Sequence, residues 1–129
     1  MIGAIIGDVV GSRFEFDNTN TKDFEFFTDD CTITDDTVLT IAVADAIKES
    51  GEIPFEKLVA QKLHWWGNHY NDLSYGVRFL DWLSSSDPQP YNSWGNGAAM
   101  RVSACADMAR DLDTALLYAQ QSARCTHNH

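Results

Sequence analysis

Thr28-Asp-Asp-Cys-Thr-Ile-Thr-Asp-Asp-Thr-Val-Leu-Thr40 joins a polar segment to an apolar one, and the fold is built outward from this junction. After Thr34-Asp35-Asp36, residues 37–50 are apolar over most of a helical circumference, which predicts a mostly buried helix closed by Gly51. Threonine and aspartate often start helices, because their oxygens accept from free N–H groups and negative charge complements the helix dipole. The same oxygens are hard donors that suit Mg²⁺ or Mn²⁺ better than zinc, so capping and metal binding both remain open.

Length and composition indicate one domain. The chain has 129 residues, of which 44% are hydrophobic, enough to bury a sizeable core. Its net charge of −10, from 19 acidic and 9 basic residues, argues against a nucleic acid or an anionic membrane as the main partner. Such a charge suits a protein that binds cations.

The cysteines Cys31, Cys105 and Cys125 are widely spaced and form no Cys-x-x-Cys pair. This pattern predicts neither a disulfide framework nor a zinc cluster, and it favours a reducing compartment. The chain contains no apolar run long enough to cross a bilayer, and its first residues lack the basic segment of a signal peptide. We therefore expect a cytoplasmic protein.

The spacing of apolar residues predicts further helices on both sides of the central one. Their predicted ranges are 2–16, 54–67, 77–83, 98–110 and 114–123. Pro54 suits the first position of its helix, and Asp113 suits the cap of the last one. Only residues 24–27 suggest a short extended piece, so the predicted fold class is all-α.

The first predicted helix carries glycines at every fourth position, Gly3, Gly7 and Gly11. A stripe without side chains lowers helix propensity, and it allows another backbone to approach closely. We therefore expect a neighbouring segment to pack against this stripe.

Asp8, Ser12 and Glu15 share another face of the same helix by helical spacing. Glu15 lies between Phe14 and Phe16 in sequence, which suggests a carboxylate partly shielded from water. A position on the surface, where the helix gives way to the polar segment 17–23, is equally open.

A second polar constellation precedes the helix predicted at 98–110. In Ser93-Trp-Gly-Asn-Gly97 two glycines flank an asparagine, a composition that favours a bend with exposed N–H groups at a helix N-terminus. Such groups bind phosphate oxygens, and Arg101, one turn into the helix, could add positive charge. An ordinary turn is the alternative, because the spacing matches neither the dinucleotide nor the P-loop fingerprint.

The chain ends in His127-Asn-His129, on a terminus that we expect to fray. An HNH nuclease needs strands that an all-helical pattern does not provide, and two histidines at this spacing rarely suffice for a metal. Neither function is predicted for these residues.

Four segments taken together resemble the ADP-ribosylglycohydrolase family in order and spacing. They are Gly3-Ala-Ile-Ile-Gly-Asp-Val-Val-Gly-Ser-Arg-Phe-Glu15, Thr34-Asp-Asp-Thr37, Gly95-Asn-Gly-Ala-Ala-Met-Arg101 and Ser122-Ala-Arg-Cys-Thr-His127. The resemblance implies an all-α fold with two Mg²⁺ ions at its centre, and Mn²⁺ would suit the same ligands. It also implies hydrolysis at the anomeric carbon of an ADP-ribosyl group, carried by a protein or by a small compound.

The resemblance also implies roles for single residues. Thr34, Asp35 and Asp36 correspond to metal ligands, and Asp8 supports their cluster. Glu15 corresponds to the glutamate that acts on the metal site and the reacting water, with Asp36 as the second catalytic residue. The residues implied to bind substrate are Ser93, Gly95, Asn96, Gly97, Met100 and His127.

Family members are longer and carry a second acidic motif, Gly-Asp-x-Asp-Thr, which this sequence lacks. We therefore expect residues 1–129 to form a single domain that is the N-terminal half of the family's helical fold, with half of the metal site. Such a truncated chain would be inactive alone, and its uncovered apolar helices would favour a dimer or a swapped assembly. The alternatives are a non-catalytic ADP-ribose-binding module and a structural relic comparable to the family's lens crystallin.

Overall fold

A computed structural model describes residues 1–129, and its regular structure is entirely helical. The elements are α1 (Ile2–Gly11), a 3-10 turn (Ser12–Phe14), α2 (Asp35–Lys48), α3 (Phe55–His69), α4 (Val77–Ser84), α5 (Gly97–Met100), α6 (Ser103–Met108) and α7 (Leu112–Arg124). The all-α prediction is therefore confirmed. The piece at 24–27 forms no strand.

Helix α2 is the centre of the fold, as its apolar sequence predicts. It lies against α1, α3, α5 and α6, and Leu39, Ala42, Val43 and Ala46 are each at most 1% exposed. Burying a leucine or valine side chain contributes about 1.5–3 kcal/mol. The N-terminus of α2 is therefore held in a fixed position by the core.

Helix α1 is shorter than its predicted range 2–16. The α-helix ends at Gly11 and tightens into the 3-10 turn that leads to Glu15. Ser12 Oγ donates to Val9 O at 2.9 Å and accepts from Thr32 N at 3.0 Å. Side-chain bonds of this kind compete with the regular helix and tie its end to the segment before α2.

Two predicted caps are displaced. Asp111, not Asp113, caps α7, because its Oδ1 accepts from Thr114 N at 2.8 Å. Pro54 is the N-cap of α3 and has an extended ψ of 128°, so the helix begins one residue later than predicted.

The predicted helix 98–110 is divided into α5 and α6 at Arg101 and Val102. In a continuous helix Gly97 O would accept from the Arg101 backbone N–H. Here the Arg101 side chain donates to that carbonyl, with Nη1 at 2.8 Å, and its other end reaches α7. The buried guanidinium of Arg101 therefore bonds the first turn of α5 at the point where the predicted helix is interrupted.

The expected close approach at the glycine stripe of α1 is wrong. A Cβ on Gly3, Gly7 or Gly11 would have no atom within 4 Å. The close approach occurs at Gly67 in α3, where a Cβ would lie 2.7 Å from Cδ2 of Leu83 in α4. Gly67 therefore sets the spacing between these two helices.

The apolar residues of α2 are buried or partly buried, whereas those of α1 are mostly uncovered. Of α1 only Val10 is buried, whereas Ile2 is 72% and Ile6 45% exposed. Helix α7 also exposes Leu112, Leu116 and Leu117. None of the helices combines the length and the hydropathy that crossing a membrane requires.

Candidate functional site

An acidic cavity of about 440 Å³ lies where α1 meets the start of α2. Its lining includes four carboxylates, Asp8, Glu15, Asp35 and Asp36, and no lysine or arginine. None of the four forms an ion pair. We call this space the acid cavity. Asp8 lies on α1, Glu15 directly follows the 3-10 turn, and Asp35 and Asp36 are the first two residues of α2.

Asp8 joins α1 to α2 through four hydrogen bonds. Its Oδ2 accepts from Thr34 N at 2.9 Å, from Thr37 N at 3.3 Å and from Thr37 Oγ1 at 2.5 Å, while its Oδ1 accepts from Thr34 Oγ1 at 2.5 Å. Asp8 therefore caps α2 from another helix. Its oxygens are engaged with protein donors, which fits a supporting position.

Thr34 is the N-cap of α2 and also faces the cavity. Its Oγ1 accepts from Asp36 N at 3.3 Å, so the capping interpretation of the sequence is confirmed. Because that oxygen donates its proton to Asp8, one of its two lone pairs is still free. Capping by Thr34 is thus compatible with binding a cation.

Asp35 and Asp36 carry uncompensated negative charge. Burial, and then the neighbouring carboxylates of Asp36, Glu15 and Asp8, raise the pKa of Asp35 to about 6. Burial is also the main cause that raises the pKa of Asp36, followed by Asp8 and Glu15. A positive charge in the cavity would relieve both effects.

Glu15 is exposed rather than enclosed by its aromatic neighbours. Phe14 packs edge-on against Phe24, with ring centroids 5.1 Å apart, and Phe16 is 84% exposed. The surface alternative of the sequence analysis is therefore correct. Glu15 reaches the acid cavity from its solvent side.

The donor set fits a hard divalent cation in chemistry and charge. Carboxylate and hydroxyl oxygens are the ligands that Mg²⁺ prefers, and Mg²⁺ commonly keeps several waters beside one or two carboxylates. No three His, Cys, Asp or Glu side chains are arranged to hold a metal ion by themselves. A bound ion would therefore need Thr34 and water, or further donors, to complete its coordination.

A second cavity, of about 350 Å³, adjoins the acid cavity. We call it the loop cavity, because residues 93–97 form one wall. It contains every residue that the resemblance connects with substrate, namely Ser93, Gly95, Asn96, Gly97, Met100 and His127. Asp35, Gly76, Asn96 and Met100 line both cavities, so the two spaces meet.

Hydrogen bonds to the end of the chain hold the loop. Ser93 N donates to Thr126 O at 3.0 Å, and Asn92 N donates to Asn128 Oδ1 at 2.9 Å. His127 Nε2 lies 3.0 Å from Gly95 O. The expected fraying of these last residues is therefore wrong.

Arg101 borders the loop cavity, but its donors point into the protein. It is 1% exposed, and it donates to Gly97 O, Ser122 O and Thr126 Oγ1 at 2.8–2.9 Å. Helix α5 has only four residues, so the exposed N–H groups lack the long helix that the sequence predicted behind them. Arg101 contributes its charge from behind the loop.

A family model described as ADP-ribosylglycohydrolase matches residues 1–129, the whole chain. The chain belongs to the ADP-ribosylglycohydrolase family. Searches among curated proteins and among solved structures gave no match. Membership identifies an ADP-ribosylglycohydrolase-type hydrolase, in a family with glycosyl hydrolase activity, and it agrees with the observed all-helical fold.

Several residues of the candidate site in this member of the ADP-ribosylglycohydrolase family were missed by the sequence analysis. Trp94, which is 90% exposed, and Tyr91 line the loop cavity, and their place beside Ser93 and Gly95 could have indicated it. Thr37 bonds Asp8, and a threonine one turn after Thr34 in an apolar helix was a usable signal. Thr126 gave no such signal, because its bond to Arg101 spans 25 positions.

Proposed function

We propose that this chain removes ADP-ribose from an ADP-ribosylated protein or a small ADP-ribosyl compound, by Mg²⁺-dependent hydrolysis at the anomeric carbon. The observation that carries the proposal is the junction of the two cavities, where Asp35, Gly76, Asn96 and Met100 line both. A diphosphate along residues 95–97 would leave the attached ribose beside Asp35. Binding and chemistry would then occupy adjacent spaces.

Thr34, Asp35 and Asp36 would hold the metal. Their support is the free lone pair of Thr34 and the two carboxylates without a cationic partner. When bound, Mg²⁺ would supply positive charge that orients ribose hydroxyls and water and offsets charge developed during hydrolysis. Asp8 would keep Thr34 in place, since it bonds both its N–H and its hydroxyl.

Glu15 would accept the proton of the attacking water at its carboxylate, and Asp36 would share in polarising that water. The exposed position of Glu15 supports this role, because an exposed carboxylate exchanges the proton with solvent. Other glycosidases use two carboxylates on either side of the scissile bond. Here both carboxylates would act from the acid cavity.

The loop would bind the diphosphate through its backbone. Gly95 and Gly97 leave room for close approach, and no side chain of the loop is acidic. Arg101 forms no ion pair with a carboxylate, so its positive charge stays uncompensated behind the loop. An anionic ligand at the loop would complement that charge.

Two octahedral ions have about twelve coordination positions, more than Thr34, Asp35, Asp36 and Glu15 supply. Water or a second chain would have to provide the others. The exposed apolar residues on α1 and α7 support self-association as the source. We place the reaction in the cytoplasm, in keeping with the three free cysteines.

The test is release of ADP-ribose from an arginine-ADP-ribosylated protein, with Mg²⁺ and with chelator. The Asp35→Ala/Asp36→Ala double variant should lose at least about 100-fold of the metal-dependent rate. A matched control is Asp17→Ala/Asp23→Ala, which changes the charge equally outside the cavity and should act as wild type.

Release that survives both the chelator and the Asp35→Ala/Asp36→Ala substitutions would refute the proposed mechanism. Wild-type protein that binds free ADP-ribose in calorimetry without any release would refute hydrolysis by this chain and favour a non-catalytic binding module. Absence of both binding and release would favour the structural relic.

A further inference from the structure

A chain of hydrogen bonds links the buried Arg101 to both ends of the 95–97 loop. On one side Arg101 Nη1 donates to Gly97 O at 2.8 Å. On the other side Nη2 donates to Thr126 Oγ1 at 2.9 Å, Thr126 Oγ1 lies 2.8 Å from His127 Nδ1, and His127 Nε2 lies 3.0 Å from Gly95 O. The loop is thus attached to one guanidinium at two points.

The chemistry of the two ends fixes the direction of the outer bonds, from Arg101 to Thr126 and from His127 Nε2 to Gly95 O. A guanidinium only donates, and a backbone carbonyl only accepts. Thr126 Oγ1 therefore accepts from Arg101, and its own proton has two acceptors within reach, His127 Nδ1 at 2.8 Å and Ala123 O at 3.5 Å. The much shorter distance favours His127 Nδ1. His127 Nε2 must carry the proton that Gly95 O accepts. With Nδ1 accepting from Thr126, His127 is neutral and protonated at Nε2 alone.

The surroundings of His127 agree with the neutral form. Burial is the main cause that lowers the pKa of His127, and the charges of Arg101 and His129 act in the same direction, while the bond to Gly95 opposes them. No Asp or Glu pairs with the ring. A second proton at Nδ1 would reverse the bond with Thr126, whose hydroxyl would then have only the longer contact to Ala123 O, at 3.5 Å, as an acceptor.

The two anchored carbonyls also set the direction of the neighbouring amides. In a trans peptide the C=O and the following N–H point in opposite directions, and this chain has no cis peptide. Gly95 O faces His127 and Gly97 O faces Arg101, so the N–H groups of Asn96 and Ala98 point away from those side chains. Neither N–H has a hydrogen-bond partner in the loop.

We propose that Arg101 and Thr126 are positioning residues that hold His127 in its neutral, Nε2-protonated form and thereby fix the 95–97 loop with two free N–H groups. An anion such as the diphosphate of ADP-ribose would be bound by those N–H groups, a part that rests on the proposed function. The positioning itself does not depend on a ligand. Thr126 is the decisive link, because it is the only connection between the guanidinium and the histidine.

A matched pair of variants separates this role from simple packing. Thr126 is completely buried, so Thr126→Val keeps the volume and removes the hydroxyl, whereas Thr126→Ser keeps the hydroxyl and loses a methyl group. A packing role predicts the larger effect in the serine variant. The positioning role predicts the larger effect in the valine variant and a near wild-type loop in the serine variant.

The first measurement needs no ligand. Nitrogen-15 NMR of the wild-type side chains at pH 7 should show His127 protonated at Nε2 alone, with the resonances assigned by their loss in His127→Phe. Backbone order parameters of Asn96 and Gly97 should stay at about 0.85 in wild type and Thr126→Ser and fall towards about 0.6 in Thr126→Val and His127→Phe. A wild-type His127 protonated at Nδ1, or a loop equally rigid in all four proteins, would overturn the proposal.

The second measurement is calorimetric binding of free ADP-ribose. Thr126→Val should bind about tenfold more weakly than wild type and Thr126→Ser nearly as well as wild type. Equal affinity of wild type and Thr126→Val would overturn the positioning role. If wild type binds no ADP-ribose, the proposed function fails, and the NMR result alone decides whether the loop is positioned in this way. Should Thr126→Val not fold, His127→Phe provides the same comparison.

Discussion

Replacing Asp8 by alanine would remove the carboxylate that joins α1 to the start of α2. Four donors lose their acceptor, two on Thr34 and two on Thr37. Thr37 is only 3% exposed, so its N–H and hydroxyl cannot turn to water. Thr34 is half-buried, and its groups regain solvent. The cost therefore comes mainly from Thr37.

A hydrogen bond to a charged group contributes about 1.5–3 kcal/mol, so losing the two from Thr37 costs about 3 kcal/mol at the lower limit. Removing Asp8 also relieves repulsion on Asp35 and Asp36, whose pKa values it helps to raise. Relief of this repulsion raises the free energy of unfolding by about 1 kcal/mol. We therefore expect Asp8→Ala to lower the free energy of unfolding by about 2 kcal/mol and the Tm by about 8 °C.

The assay is urea and thermal unfolding followed by circular dichroism at pH 7 in chelator. Asp8→Asn keeps one acceptor oxygen and should lose about half as much. Asp23→Ala changes the charge equally at an exposed position outside the acid cavity, and it should stay within about 0.5 kcal/mol of wild type. An Asp8→Ala protein as stable as Asp23→Ala would refute the view that Asp8 caps α2.

Three further predictions concern the ionisation of Asp35, the packing at Gly67 and the binding of Mg²⁺. The folded-state pKa of Asp35 is about 6 against an ordinary 3.8, so ionisation of Asp35 lowers the free energy of unfolding as pH rises through this window. In chelator at pH 8, the free energy of unfolding of Asp35→Asn should exceed that of wild type by about 1 kcal/mol, a value discounted for solvent exposure. Urea unfolding at pH 4 should show no such difference. Gly67→Ala should lower the free energy of unfolding by about 1–3 kcal/mol, because the added Cβ would meet Leu83. In Gly3→Ala the added Cβ meets no atom, so this control should be neutral or stabilise the protein by up to about 1 kcal/mol. Thermal unfolding compares the two variants. Saturating Mg²⁺ at about 100 times its Kd should stabilise wild type by about 2.7 kcal/mol and leave the Asp35→Ala/Asp36→Ala variant unchanged, as differential scanning calorimetry would measure.

The central helix could be predicted because its signal is local. Residues 38–47 are apolar over most of the circumference, which indicates burial on several sides, and α2 indeed contacts four other helices, α1, α3, α5 and α6. Part of each cavity could also be predicted, because Thr34, Asp35 and Asp36 are adjacent in sequence, as are residues 93–97. Residues that are adjacent in sequence lie close together in the fold, so their shared place in a cavity needs no knowledge of long-range contacts.

The remaining features depend on contacts between distant residues. Asp8 meets Thr34 across 26 positions, and Arg101 meets Thr126 across 25, so neither pair leaves a local pattern. Asp111 and Asp113 fit a cap equally well by composition, and only the bond to Thr114 N decides between them. The break in the helix predicted at 98–110 lies beside contacts of the same kind, because the Arg101 side chain bonds Ser122 O and Thr126 Oγ1, more than 20 positions away.

The start of α2 resolves a conflict between two uses of the same residue types. A helix N-terminus favours nearby carboxylates, yet the raised pKa values of Asp35 and Asp36 indicate that burial and mutual repulsion outweigh this benefit. The capping bonds come instead from Thr34 and from Asp8 on another helix, so Asp35 and Asp36 need not serve as caps. Two carboxylates that stabilise neither the cap nor an ion pair are a cost to the fold, and a cation in the acid cavity would turn that cost into binding energy.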